Sequence, residues 1–260
     1  MSDVVNPFSD ETAIANSNYT AFDRGGLVHP ATGEQPSALT AFVHDELRAL
    51  VLNDRFTCFG GKAALRQGTY RFGLYGDMDS PAAACGLARD LFTFIGEMRE
   101  TTAAFTTFLA SFTGPNPPDE PAFETTLWRT LQRLHDLDAR HHRWDPAVDS
   151  DPASPHFSFS FGGVAFFVVG LHAASSRVAR RFAWPTLTFN PHRQFDALRD
   201  SGRFPRLQQV IRKAEEHLQG DTNPMLADYG TRSEAAQYSG RRVGADWKCP
   251  FHAHGSPPAD

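Results

Sequence analysis

The 260-residue chain has few cysteines, no long apolar run and no excess of basic residues. Its three cysteines are an odd number and widely spaced, which is not the pattern of a disulfide-stabilised secreted protein. No apolar run approaches the ~20 residues of a membrane span, and the N-terminus lacks the features of a secretory signal. The formal charge of −5 gives no basis for binding nucleic acid or a membrane surface. We therefore expect a cytoplasmic protein.

Several catalytic motifs are also missing. The stretch "FGGKAAL" is not a phosphate-binding loop, because Phe56 stands where the first glycine of that motif is required. The chain contains neither the G-x-S-x-G turn of serine hydrolases nor the H-E-x-x-H motif of zinc proteases. It also lacks a Ser/Gly linker or a charged run that would divide it, so we expect one domain.

Phenylalanine is abundant among the aromatic residues, with 22 Phe against 5 Tyr and 4 Trp. Phe fills space without needing a hydrogen-bond partner, so this bias is explained by a well-packed core. It also suits a pocket for a large, flat, apolar cofactor. Both interpretations stay open on composition alone.

The hydrophobic pattern predicts an α+β fold, because helical segments are mixed with hairpin-type strands and do not alternate regularly with them. We expect about five helices packed on an antiparallel or mixed sheet. "HFSFSFGGVAFFVVGLH" predicts a β-hairpin that turns at Gly162-Gly163. The expected organisation is an extended arm over residues 1–35, one domain over 36–252 and a flexible tail over 253–260.

Two polar clusters could carry chemistry. "GLHAASSRVARRF" places Arg177, Arg180 and Arg181 just after a buried strand, where they suit propionates or a carboxylate substrate, or else a solvated turn with one salt bridge. "HDLDARHH" brings His135, His141 and His142 to the end of a predicted helix. That cluster is typical of a polar helix end, and a metal site is the alternative.

Cys249 lies in "DWKCPFH", in a setting that differs from that of the other two cysteines, which we interpret as small buried hydrophobes. Lys248 and nearby arginines would favour a thiolate, while Trp247 and Phe251 could shield it. A shielded thiolate is the axial ligand that helps a haem iron to cleave O–O bonds.

The chain resembles the YqcI/YcgG family in several blocks that occur in order. They are "CFGGKAALRQGTYRFGLYGDM", "LWRTLQRLHDLDARHHRWDPAVDSDP", "FSFSFGGVAFFVVGLHAASSRVARRFAWPTLTFNPHRQFDALRDSGRF" and "LQGDTNPMLADYGTRSEAAQYSGRRVGADWKCPF". The resemblance covers about residues 50 to 252. It implies a haem-dependent oxygenase, since relatives N-hydroxylate the guanidino group of L-arginine or of arginine-derived amino acids in natural-product pathways. The family pattern has Pro after the histidine of "GLH", and this chain has Ala173.

The implied cofactor is haem b, in a Phe-rich pocket that the C-terminal segment closes. We predict Cys249 as the axial ligand and His172 as the alternative. The expected haem contacts are Arg177, Arg180, Arg181, Phe159, Phe161, Trp247 and Phe251. A guanidinium calls for a carboxylate in bidentate geometry, so the expected substrate contacts are Glu234 and Asp228, with Asn190 and His192 beside them and Glu124 and Asp136 as further candidates.

The expected partners are a guanidino amino acid, dioxygen and an electron donor that the sequence does not identify; a homodimer is left open. Two other classes of function also remain. One is a haem carrier or sensor without turnover. The other is a non-haem metal enzyme that uses the histidines of "HDLDARHH".

Overall fold

The computed structural model describes residues 5–54, 56–200, 202, 204–226 and 230–255. Within them the chain forms one α+β domain with a mixed seven-stranded sheet and eight α-helices. The helices are α1 Glu11–Asn16, α2 Ala38–Leu52, α3 Phe59–Gln67, α4 Pro81–Glu100, α5 Glu120–Asp138, α6 Arg193–Asp200, α7 Phe204–Gln219 and α8 Ala235–Tyr238. The strands are β1 Thr20–Asp23, β2 Gly26–Val28, β3 Tyr70–Asp77, β4 Thr107–Gly114, β5 Phe159–Phe161, β6 Val164–Leu171 and β7 Thr186–Pro191, with a short 3-10 helix at Val178–Arg180.

The sheet has the strand order β2-β1-β3-β4-β7-β6-β5. Only the central β3–β4 pair is parallel among the described strands, and α4 makes the crossover between its two members. The other neighbours pair antiparallel. This confirms the predicted fold class and selects the mixed sheet over the purely antiparallel one.

Polar residues fix where the main helices begin. Ser37, Ser80 and Asp119 stand at the N-caps of α2, α4 and α5, and each side chain accepts a hydrogen bond from the amide three residues further on, at 3.1, 3.1 and 2.8 Å. Such caps satisfy amides that have no partner within the helix, and each typically contributes about 1 kcal/mol.

The two faces of the sheet are covered differently. On one face α4 and α5 close an aromatic core that includes Phe108, Phe166 and Phe189, all fully buried. On the other face α2 and α3 pack over β3, and a cavity lies under α6, α7 and residues 223–226. Because successive side chains of a strand point to opposite faces, neighbours in sequence are divided between these two environments.

The predicted hairpin is confirmed. Phe159–Phe161 pairs with Val164–Leu171, and the two residues between the strands are Gly162 and Gly163, with φ of 59° and 70°. Both angles lie in the left-handed region that side chains disfavour, as the tight hairpin turn requires.

The N-terminal segment differs from the expected irregular arm. It contains α1 and the β1–β2 hairpin, and β1 pairs with β3, so the segment extends the main sheet. Asp90 of α4 anchors the connection, since its carboxylate accepts hydrogen bonds from Ser17 Oγ at 2.5 Å and Asn18 N at 2.8 Å. The sequence did not predict β1 and β2, because these strands have only four and three residues.

The described residues form eight α-helices where about five were expected, because the hydrophobic patterns of α1, α3 and α8 are weak. The segment that fails as a phosphate loop forms α3, whose first turn contains Gly60 and Gly61. Among the described residues, no helix is long and apolar enough to cross a membrane.

Candidate functional site

The best-defined cavity lies between the sheet and the layer formed by α6, α7 and residues 223–226. Its volume is 270 Å³, close to the lower end of the ~300–1,000 Å³ typical of small-molecule sites. The floor is formed by alternate side chains of three strands, which are Thr107, Leu109, Phe167, Val169, Leu171, Thr188 and Asn190. The cavity therefore combines a mostly apolar floor, which includes the polar side chains of Thr107, Thr188 and Asn190, with further polar groups from the surrounding helices and loops.

Glu234 is a buried carboxylate on the cavity wall, directly before α8 and 5% exposed. Its Oε1 accepts hydrogen bonds from Ser158 Oγ at 2.6 Å and Tyr238 OH at 2.7 Å. Burial raises the pKa of this carboxyl to about 7, against the lowering effect of these two donors. A carboxyl group with that pKa exists in both protonation states near neutral pH, which is a common property of functional carboxyls.

His192 lies beside Glu234, between the end of β7 and the start of α6, and is 4% exposed. Its Nδ1 is 3.2 Å from Asp196 Oδ2, and its Nε2 is 3.9 Å from Glu234 Oε2. Asp196 sits one helical turn further along and has a side chain that is 48% exposed. The spacing of four residues could have identified this pair from the sequence, because positions i and i+4 share one face of a helix.

The three predicted arginines have different surroundings. Arg177 lines the cavity and binds Asp221 Oδ1 at 2.6 Å. Arg180 also lines the cavity, and it donates to the backbone carbonyls of Tyr238 and Gln237 at 2.9 Å each. Arg181 is exposed and donates to the carbonyl of Ser175 at 2.8 Å, outside the cavity.

Sequence reasoning missed several residues of the cavity wall. Cys58, interpreted as a buried hydrophobe, lines the cavity as the N-cap of α3, where Sγ accepts a hydrogen bond from Gly61 N at 3.4 Å. Arg199, Arg212 and Arg232 add three guanidinium groups. The arginines follow no local motif, so only the folded chain brings them to one place.

The other predicted substrate contacts are only partly brought together. Asn190 lines the cavity, and its side-chain amide donates to the carbonyl of Phe167 at 3.1 Å. Asp228 lies outside the described residues. Glu124 lies apart from the cavity, where it binds Arg241 and accepts from Ser239 Oγ at 3.0 Å. Asp136 binds His254 at the outer side of α5.

Cys249 does not line this cavity. It packs at the edge of the aromatic core and faces a separate open groove, which also includes Pro152, Ala236 and Trp247. Burial raises the pKa of its thiol to about 12, so the nearby cations do not stabilise a thiolate in this arrangement.

His172 lies on the core side of the sheet, although Leu171 before it lines the cavity. Its ring stacks on Phe123 of α5 with the ring centroids 4.1 Å apart. Neither ring nitrogen has a hydrogen-bond partner within the described part of the chain, and burial lowers the pKa to about 4. The sheet therefore separates His172 from the cavity, and Cys249 is not among the residues that line it.

The aromatic residues predicted to contact haem are also on the core side. Phe159, Phe161 and Phe251 are at most 1% exposed and belong to the aromatic core, where Phe251 contacts Phe159 at a centroid distance of 6.0 Å. Trp247 packs at the edge of this core. The C-terminal segment thus fastens a packed core, and the described cavity is closed by other elements.

The alternative metal centre is not assembled by the described side chains, since no three His, Cys, Asp or Glu residues among them are placed to hold an ion. His135 Nε2 accepts from His254 N at 2.9 Å, and His142 Nδ1 pairs with Asp138 at 2.7 Å. His141 packs edge-on against Phe8.

Fold and site together describe an α+β protein with a partly apolar cavity that contains a buried carboxyl–imidazole pair and several arginines. Residues 47–252 match the model of the YqcI/YcgG family, and the chain belongs to this family. The protein YcgG of Bacillus subtilis (strain 168) is 28% identical over 211 residues, which cover 76% of this chain and 81% of the relative. YqcI of the same organism is 26% identical over 189 residues, covering 69% and 72%. Both relatives are described as uncharacterized, and no solved structure matches the chain.

Proposed function

We propose that this protein is a haem-dependent monooxygenase that N-hydroxylates the guanidino group of L-arginine or of a close arginine-derived amino acid, in a natural-product pathway. The observation that carries the proposal is the buried carboxyl of Glu234 on the wall of a largely apolar cavity. A guanidinium is planar, charged and forked, and a carboxylate is the group that pairs with it in two parallel hydrogen bonds.

The surroundings of Glu234 suit this role. Ser158 and Tyr238 both donate to Oε1, which holds the carboxyl plane in place, while Oε2 lies on the side of His192. A guanidinium next to Glu234 would favour the ionised carboxylate and lower its raised pKa. Substrate binding and loss of a proton from Glu234 are therefore coupled.

The residue types of the cavity fit a haem. Its apolar floor suits the macrocycle, and arginines on the wall suit propionates and the carboxylate of an amino acid. Cys58 is the cysteine whose thiol lines the cavity, so it would hold the iron there. Burial raises the pKa of this thiol too, and the amide of Gly61, which donates to its sulfur, opposes that rise. When bound, a haem supplies the activation of dioxygen.

The cavity volume of about 270 Å³ lies just below the range typical of small-molecule sites, so binding of a haem would require the cavity to open further.

The proposal is tested on protein expressed with sufficient haem. We expect a Soret band that L-arginine shifts, and incubation with dioxygen and a reductant should convert arginine into a product heavier by one oxygen atom. Glu234→Gln should raise the Kd for arginine about 10- to 100-fold, because it removes a charged hydrogen-bond partner. Glu124→Gln is the matched control, since Glu124 is equally buried but lies outside the cavity; its Kd should stay close to that of the unchanged protein.

The same preparation separates the rival functions. Protein without a Soret band would refute the proposal, and stoichiometric non-haem iron or zinc would favour a metal enzyme. A bound haem with no response to arginine and no turnover would identify a carrier or sensor. The spectrum of Cys58→Ser, compared with Cys249→Ser and His172→Ala, shows which residue ligates the iron, because only loss of the ligand changes the thiolate or histidine signature of the ferrous carbonyl complex.

A further inference from the structure

Three side chains form a line from the solvent to the cavity: Asp196, His192 and Glu234. Asp196 is half exposed at the outer end, whereas the other two side chains are 6% and 7% exposed. The imidazole stands between the two carboxyl groups, with Nδ1 3.2 Å from Asp196 Oδ2 and Nε2 3.9 Å from Glu234 Oε2. The second distance is longer than a hydrogen bond, so proton transfer across it requires the two side chains to approach each other or a water molecule to join them.

Within the part of the chain that the structure describes, the two hydroxyl partners of Glu234 do not extend the line to solvent. Ser158 Oγ and Tyr238 OH are themselves buried, and both also approach the carbonyl oxygen of Phe166, at 3.2 Å each. Neither hydroxyl is a proton acceptor at neutral pH, and burial raises the pKa of Tyr238 well above its ordinary value. Among the described residues, His192 is the one imidazole on the cavity wall. An imidazole can take a proton at one nitrogen and release one from the other.

The charged groups around this line hold it in one orientation. Arg199 donates to Asp196 Oδ1 at 2.5 Å, which leaves Oδ2 for His192. Asp145, from the loop before β5, also acts electrostatically on His192, and Arg199 and Asp196 act on Glu234. Asp145 is held at both ends, since its backbone N donates to Ser160 Oγ at 2.9 Å and its Oδ2 accepts from Ala165 N at 2.8 Å.

We propose that His192 is a proton relay, which carries protons between solvent at Asp196 and the cavity at Glu234. This inference rests on the proposed function, which supplies the reaction that consumes the protons. Hydroxylation of one N–H by dioxygen inserts one oxygen atom and reduces the other to water, which consumes two electrons from an external reductant and two protons. The relay delivers those protons to a cavity from which water must otherwise be excluded. It also removes the proton that Glu234 loses when a guanidinium binds.

The decisive measurement needs no turnover. After rapid mixing of the protein with D₂O at pH 6, the infrared C=O stretch of protonated Glu234 shifts as its proton exchanges, and the Glu234→Gln protein identifies the band. We expect His192→Gln to slow this exchange at least about tenfold, because glutamine keeps a polar side chain but does not transfer protons. Added imidazole should restore the rate.

His44→Gln is the matched control. His44 is also a buried histidine with a neighbouring carboxylate, with Nδ1 3.0 Å from Asp45, but its Nε2 contacts Tyr70 OH and it does not line the cavity. In His44→Gln the proton of Glu234 should exchange at the same rate as in the unchanged protein. If His192→Gln does not fold, Asp196→Asn tests the same route from its exposed end and should also slow exchange.

Turnover distinguishes failure of the relay from failure of the proposed function. In an active haem protein, His192→Gln should lower kcat about 100-fold or more with an unchanged Kd for arginine, and added imidazole should raise kcat again. Equal exchange rates in the His192→Gln and unchanged proteins would overturn the relay, whether or not the protein hydroxylates arginine. A raised Kd with normal exchange would make His192 a substrate contact, which also overturns it.

Discussion

At the scale of single residues, Glu234 shows how the fold changes the chemistry of a common side chain. Its carboxyl lies in a partly apolar cavity, so the loss of hydration penalises its charged form more than two hydroxyl donors favour it. Cys249 shows the same effect in a different place. Burial raises the pKa of its thiol to about 12, although Lys248 precedes it in the chain.

The raised pKa of Glu234 has a consequence for stability. The native carboxyl has a pKa of about 7 against an ordinary value of 4.5, so between these values the native protein holds a proton that the unfolded chain releases. The contribution of Glu234 to the free energy of unfolding is complete below pH 4.5. It decreases by up to about 3 kcal/mol as the pH rises through 7. Glu234→Gln should lack this loss, which urea denaturation at several pH values measures.

Asp90 adds a second pH dependence, so the unfolding free energy of the unchanged protein must be compared directly with that of Glu234→Gln. Burial raises the pKa of its carboxyl to about 6, which gives a pH dependence of the same sign. The prediction therefore concerns the difference in unfolding free energy between the unchanged protein and Glu234→Gln. A difference that stays constant from pH 4.5 to 8 would show that Glu234 titrates normally.

At the scale of elements, two glycines of α4 have opposite roles. A Cβ at Gly86 would lie 2.1 Å from the carbonyl oxygen of Asn16, at the end of α1, so the absent side chain permits the close approach of these helices. A Cβ at Gly96, ten residues further along the same helix, would meet nothing within 4 Å.

We expect Gly86→Ala and Gly96→Ala to change stability in opposite directions. Gly96→Ala should stabilise the protein by about 0.5–1 kcal/mol, because alanine favours the helix and finds free space. Gly86→Ala should destabilise it and displace α1, which limited proteolysis of the N-terminal segment would detect together with a lower denaturation midpoint. Equal effects of the two substitutions would contradict the close helix approach.

The elements that the sequence predicted correctly are those with strong local signals. Alternating Phe159 and Phe161 before two glycines identify a hairpin. The position of the cavity was not predictable in this way. β6 is apolar on both faces, so its pattern does not show that Leu171 borders the cavity while His172 enters the core.

The residues of the site were predicted only in part, because the sequence does not show which face of the sheet a side chain occupies. Arg177, Arg180, Asn190, His192 and Glu234 were predicted and meet at one cavity. The predicted haem residues of the C-terminal segment lie across the sheet from them, because the sequence shows which side chains are unusual but not which face of a sheet each occupies. Cys58 gains its position only from the fold around α3, whereas the spacing of Asp196 from His192 was available in the sequence.

At the scale of the whole molecule, the family match begins at residue 47, inside α2, yet the sheet begins before it. β1 covers the edge of β3, with Thr20 opposite Phe72 and Thr20 Oγ1 donating to the carbonyl of Phe72 at 2.7 Å. The preceding segment also places Phe8 in the aromatic core.

Removal of residues 1–36 should therefore destabilise the domain. It would expose the edge of β3 and remove the burial of Phe8 and Leu27, which contributes about 3–6 kcal/mol. We expect a lower urea midpoint and association by light scattering. Asp90→Asn in the full chain should cause a smaller loss, because it weakens only the anchor at Ser17 and Asn18. An unchanged midpoint in the shortened protein would show that the segment is dispensable.

Arg180 connects distant parts of the chain, since its guanidinium holds the carbonyls of Gln237 and Tyr238. These residues come late in synthesis, after every strand of the sheet has been made. A nascent polypeptide therefore cannot complete the cavity wall until residue 240 has left the ribosome, even if its sheet has already formed. A product that terminates before that point would lack a complete cavity wall and would also lose Phe251 from the aromatic core.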